Sequence, residues 1–211
     1  MDSTRAQTRI AAAMRGHTTP LPPAAVDVSS KRRVESSNAT IEGGNQGGSE
    51  GIAAAGASAV PRRILAIDPG TRCGYAYATD GHSIHASLSG VWDLSPRRHE
   101  GGGMRYVRLL RFIGEVEPEL VVYEEVRRHL GTDAAHIYGG IVATITGYCE
   151  QRRLPYCGIP VGTVKKFATG KGNADKEAMV AAAQARFGRE VDDDNQADAL
   201  FILSAWIEGQ G

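Results

Sequence analysis

Every Phe, Tyr and Trp of this 211-residue chain lies beyond Pro61, so a core of ordinary density has to be built from residues 62–211. Met1 to Pro61 is dominated by Ala, Ser, Gly and Thr and is interrupted by Pro20-Leu21-Pro22-Pro23 and Gly43-Gly44-Asn45-Gln46-Gly47-Gly48. So few large apolar groups cannot offset the entropy of ordering, and residues 1–61 are expected to form a disordered N-terminal extension. A short helix near Thr8–Met14 is marginal alone. Arg5, Arg9 and Arg15 sit among Ala and Ser as in a transit peptide, but acidic residues intervene and no amphipathic face runs on. A flexible tail, or an upstream start codon, is the expected reading. The sequence lacks the apolar stretch that a signal peptide or membrane span needs. Cys73, Cys149 and Cys157 are odd in number and lack metal-finger spacing, as expected of buried thiols in a cytoplasmic protein.

Residues 62–211 are patterned as one α/β domain. Strands are expected at Ile64–Asp68, Gly74–Thr79, Ser83–Leu94, Glu119–Glu124 and Tyr156–Ile159, with a turn at Pro69–Arg72. The first three would form an antiparallel meander. Helical spacing marks Met104–Val116, where Val107, Leu110, Ile113 and Val116 recur, and Ala134–Gln151, with Ile137, Ile141, Ile145 and Tyr148 on one stripe. Val161–Ala168 and Ala174–Phe187 come next, broken by Thr169-Gly170-Lys171-Gly172-Asn173, and a last helix starts at Asp194 and runs through Ala205. The order implies a mixed five-stranded sheet, three antiparallel strands then parallel ones, flanked by helices on both sides, which is the ribonuclease H-like arrangement.

Acidic side chains stand where such a fold would gather them. Asp68 ends the apolar run Ile64-Leu65-Ala66-Ile67, and Glu124 ends Leu120-Val121-Val122-Tyr123. Alternation puts Glu124 on the face of Val122 and Glu125 on the other, so one of the pair faces any site. Asp194 and Asp198 are four apart on one helix face. The macrodipole explains acids at Asp193 and Asp194. It does not explain Asp198, set in Ala197-Asp198-Ala199-Leu200-Phe201-Ile202-Leu203, a run fit for burial where a carboxylate needs a partner. A shared divalent metal is the economical partner, with Asp68, Glu124, Asp194 and Asp198 as ligands. Oxygen donors favour Mg²⁺, with Mn²⁺ as a substitute. Two ions roughly 3.5–4 Å apart would activate water and stabilise the leaving oxygen of a phosphodiester. The formal net charge is zero, so attraction to nucleic acid must come from local basic clusters.

Ile67-Asp68-Pro69-Gly70-Thr71-Arg72-Cys73-Gly74-Tyr75 resembles the opening motif of RuvC-type Holliday junction resolvases, in the ribonuclease H-like nuclease superfamily. Tyr123-Glu124-Glu125-Val126 is similar to their second acidic strand, and Ala197-Asp198-Ala199-Leu200 to their closing helix. Leu154-Pro155-Tyr156, Val164-Lys165-Lys166 and Ala174-Asp175-Lys176 are similar to the basic segment between. The resemblance spans Arg62 to Trp206, keeps motif order, and is most compact to phage and prophage members. It implies a metal-dependent, structure-selective endonuclease that nicks Holliday junctions or related branched DNA as a homodimer. Gly139-Gly140 and Gly147, small residues that would let helices approach closely, make Ala134–Gln151 the candidate interface. It gives metal-ligand roles to Asp68, Glu124 and Asp198. The cellular resolvases carry Asp or His where Asn195 stands here, so the fourth ligand is Asp194 or Asn195, with the carboxylate preferred. Lys165 and Lys176 match lysines that approach the scissile phosphate, and Lys166 and Lys171 extend that patch. Arg127, in Arg127-Arg128-His129, replaces an aromatic wedge, which implies a broader taste for branched DNA. His129 and His136 read as surface or packed histidines.

Two other functions use the same residues. Asp68-Pro69-Gly70-Thr71 is similar to the phosphate loop of actin-like kinases and ATPases, but a second loop is absent and residues 62–211 leave no room for a second domain. A non-catalytic DNA-binding module on this fold would not need the acids.

Overall fold

The computed structural model describes residues 61–79, 83–127 and 131–209. Of the extension expected over residues 1–61, residues 1–60 lie outside the described residues, as do the expectations for Arg128 and His129. Elements run in the order β1 (Ile64–Asp68), β2 (Arg72–Ala78), β3 (Leu88–Asp93), α1 (Met104–Val116), β4 (Leu120–Glu125), α2 (Thr132–Arg152), β5 (Tyr156–Pro160), α3 (Val161–Thr169), α4 (Lys176–Phe187) and α5 (Asp194–Gly209). The five strands make one sheet in the order β3-β2-β1-β4-β5. The β1–β2 and β2–β3 pairs are antiparallel, and β1–β4 and β4–β5 are parallel.

Strand β1 lies at the centre, paired on both edges and covered on both faces. This is why Ile64, Leu65, Ala66 and Ile67 are apolar without alternation. Its odd and even residues serve two cores. Leu65 and Ile67 pack with Leu109 and Ile113 of α1 and Ile141 and Ile145 of α2. Ile64 and Ala66 pack with Val164, Met179, Phe187 and the apolar residues of α5. Between sheet and outer helices, α5 is buried on nearly every side from Ala199 to Ser204, which accounts for a run apolar all round.

Three sequence expectations shift for identifiable reasons. The third strand begins at Leu88 rather than Ser83, because Ser87 closes a turn onto Ile84 O and the Arg189 guanidinium donates to Ser87 O and Oγ. Helix α4 begins at Lys176 rather than Ala174, because the Asp175 carboxylate accepts from the Ala178 N–H at 2.9 Å and caps it. In α1 the buried stripe is Leu109, Ile113 and Val116, while Val107 and Leu110 face outward at 39% and 41% exposure.

One close approach sets the position of α5. Gly74, the β2 partner of Asp68, faces the first turn of that helix, and a Cβ there would stand 1.9 Å from Asn195 O. Any side chain would push the helix off the sheet beside Asp68. Gly74→Ala is therefore expected to lower stability by about 1–3 kcal/mol, the usual cost of overpacking, as read by denaturant unfolding. An unchanged unfolding midpoint would contradict this contact.

Candidate active site

Strand register decides where two of the acids go. The parallel β1–β4 ladder pairs Ile64 with Leu120 through Ile67 with Tyr123, so the next residues, Asp68 and Glu124, stand side by side at the end of that ladder. Both share the face of Ala66 and Val122, the face that α5 covers. Glu125 falls on the opposite face by the same alternation, and its carboxylate meets Arg127 at 3.5 Å.

Helix α5 brings the others. Asp193 stands just before it, accepts from Asn195 N–H at 2.9 Å and Asn195 Nδ2 at 2.7 Å, and pairs with Arg72 of β2 at 2.6 Å. The cap and the ion pair fasten the helix start to the strand that also carries Gly74. Asn195 thus spends its amide on the cap. Asp194 and Asp198, one turn apart, lie close enough to Asp68 for their charges to be felt there.

Burial and mutual repulsion raise the proton affinity of Asp68, Glu124 and Asp198. The Asp68 carboxyl is held well above its usual range, by burial first and then by Glu124, Asp198, Asp194 and Asp193. Glu124, only 7% exposed, is pushed up to about 7 by burial and the Asp198 charge, with Lys165 opposing. Asp198 rises to about 6, mainly by burial, with Lys165 and Lys176 pulling it down and Asp194 pushing it up.

Glu124 Oε1 and Asp198 Oδ1 are buried without a hydrogen-bond partner. Orphaned carboxylate oxygens are costly, and a hard divalent cation with oxygen ligands satisfies them. The donor chemistry of Asp68, Glu124, Asp194 and Asp198 fits such an ion. Among the described residues no three His, Cys, Asp or Glu side chains close into a ready cage. One contact works against closure: Lys176 Nζ engages Asp194 Oδ2 at 2.7 Å.

The basic residues divide by exposure. Lys165 is half-buried, donates to Ala174 O at 3.0 Å and lies beside Glu124 and Asp198. Lys176 is exposed, and its bond to Asp194 raises its pKa. Lys166, Lys171, Arg127 and His136 are exposed, none with a contact to the clustered acids among those described. Sequence reasoning missed Asp193, which looks like ordinary acidity at a helix start, and the need for Gly74. Arg72, 121 residues before Asp193 in the chain, gave no local signal of the pairing.

No protein-family model matches the chain. The curated crossover junction endodeoxyribonuclease RuvC of Anaeromyxobacter sp. (strain Fw109-5) is 31% identical over 144 residues, covering 65% of this chain and 69% of that protein. The protein of the same name from Synechococcus sp. (strain WH7803) is 28% identical over 156 residues, covering 69% of this chain and 99% of its own length. Two solved structures share the fold. T. thermophilus RuvC in complex with Holliday junction substrate has a TM-score of 0.57 at 20% identity, over 71% of this chain and 95% of that one. Thermus thermophilus RuvC has a TM-score of 0.53 at 22% identity, over 70% and 95%.

The raised carboxyls have a measurable consequence. Between about pH 4 and about pH 7 the folded protein binds more protons than the unfolded chain, so stability present at low pH is lost as pH rises through that window. The loss is on the order of 3 kcal/mol each for Glu124 and Asp198. Asp93, Glu100, Asp193 and Glu208, whose pKa values are lowered, act oppositely, at the acid end of the window and below it. Without divalent cations, Tm is expected to fall from about pH 5 to about pH 8, and millimolar Mg²⁺ or Mn²⁺ to restore it chiefly at the higher pH. A Tm that rises across this range and ignores both ions would sink the shared acid cluster.

Proposed function

Because the chain belongs to the RuvC family of crossover junction endodeoxyribonucleases, we propose that it hydrolyses phosphodiester bonds in Holliday junctions and related branched DNA, using divalent cations held by Asp68, Glu124, Asp194 and Asp198. The observation that carries the reading is the pair of unpartnered buried oxygens on Glu124 and Asp198, on the sheet face where Asp68 also ends. Mg²⁺, or Mn²⁺ in its place, with two ions per site, would supply an acidified water and charge to offset the leaving 3′-oxygen.

The protein's own groups do the positioning. Lys165, fixed by the Ala174 carbonyl beside two of the acids, would meet the scissile phosphate and offset its growing charge. Lys176 is exposed enough to exchange Asp194 for a DNA phosphate. Lys166, Lys171, Arg127 and Arg128 would hold backbone phosphates, which set register rather than sequence. Arginines can also stack on unpaired bases, so Arg127 suits several branched forms. The nuclease domain is residues 62–211, acting on DNA in the cytoplasm, with residues 1–61 as an extension.

Symmetric nicking of two strands calls for two sites related by a two-fold axis, hence a homodimer. The neighbouring helices α1 and α2 offer the face for it. Met104, Val107 and Leu110 are exposed on α1, and Gly139 and Gly147 of α2 have open space where a Cβ would stand.

Asp68→Asn is expected to abolish nicking of labelled four-way junctions in Mg²⁺ while junction binding in EDTA persists. Retained nicking would remove Asp68 from the chemistry, and a wild-type protein that binds but cuts no branched DNA would mean a binding module. Leu110→Glu is expected to convert a dimer to a monomer in analytical ultracentrifugation. A dimer that survives the change would move the interface elsewhere, and a monomeric wild type on and off DNA would remove it.

A further inference from the structure

We infer that Tyr138 is a positioning residue for the acid cluster, holding from behind the sheet the peptide that carries Glu124. Its hydroxyl donates to Glu124 O at 3.0 Å and accepts from Val126 N–H at 2.8 Å. One side-chain oxygen thus spans the last residues of β4, gripping the backbone on both sides of Glu125.

The geometry gives this grip its consequence. Helix α2 packs on the sheet face opposite the acids, through Ile141, Ile145 and Tyr148. The Glu124 side chain leaves toward α5, so the helix touches the backbone of Glu124 while the carboxyl stays free for the site. A strand end lacks the next rung of its ladder and is the part of a sheet most able to fray. The β4–β5 pairing ends at Glu125 with Pro160, whose ring has no N–H to extend it. Tyr138 supplies the missing constraint. It fixes the Glu124 carboxyl against Asp68 and sets where Arg127 leaves the strand. Groups that orient a ligand in this way commonly govern metal affinity.

The inference rests on Glu124 acting as proposed above, so the experiment keeps the two apart. Full-length wild type is assayed first for nicking of a labelled four-way junction across a Mg²⁺ titration. If it nicks no branched DNA in Mg²⁺ or Mn²⁺, the functional reading fails and this inference falls with it. Given an active wild type, Tyr138→Phe keeps the ring and removes the hydroxyl. The expected result is a roughly 10- to 100-fold loss of rate at subsaturating Mg²⁺ and a raised half-saturating Mg²⁺. Junction affinity in EDTA should be unchanged, and the Val126 amide should exchange its hydrogen faster. A wild-type Mg²⁺ dependence, or a loss of rate that tracks Tm alone, would overturn the inference. Should the phenylalanine protein not fold, Tyr138→His keeps a polar tip on a ring and is expected to show the same raised Mg²⁺ requirement. A wild-type requirement there, or failure of both variants to fold, would reduce Tyr138 to a folding role and equally overturn it.

Discussion

Carboxylates brought together inside a protein repel one another and resist losing water, and this fold forces that on Asp68, Glu124 and Asp198. Two of the three are fixed by the parallel pairing of β1 with β4, which nothing short of a register slip can alter. The third rides on α5, whose approach depends on a glycine opposite its first turn and on Arg72 holding Asp193. The apolar surface that α5 buries holds it down while its acids face an unfavourable field. The crowded acids are thus held in place by the packing around them.

The cations of the protein are arranged on the same logic. Lys165 reaches the cluster from α3 and relieves part of the repulsion without forming a closed ion pair there. Lys176 comes from α4 and grips Asp194 at the rim. A DNA strand would meet these lysines beside the carboxylates. The chain has no net charge to draw DNA from a distance, so any attraction to DNA has to be local.

Much of this could be read in the chain before its fold was known, for reasons that differ by residue. Glu124 was separable from Glu125 because alternation along a strand leaves no choice of face. Asp198 stood out because a charge in a buried run must be matched by something. The exposed stripe of α1 was not separable from its buried one. Val107 and Leu110 fit helical spacing as well as Leu109 and Ile113 do, and only the position of α2 and the sheet decides between them. The roles of Asp193 and Ser87 were hidden for another reason. Each depends on an arginine more than a hundred residues away in sequence, 121 for Asp193 and 102 for Ser87, and no local pattern records such a partner. Which of Asp193, Asp194 and Asn195 turns inward was likewise set by how α5 docks rather than by its own composition.

The central claim is that Asp68, Glu124 and Asp198 form one cation site. Anomalous diffraction from crystals soaked in Mn²⁺ tests it most directly. A strong peak is expected within ordinary coordination distance of oxygens from all three side chains, and it should be lost in Asp68→Asn crystals. Mn²⁺ found elsewhere, with these carboxylates hydrogen-bonded to protein groups instead, would contradict it.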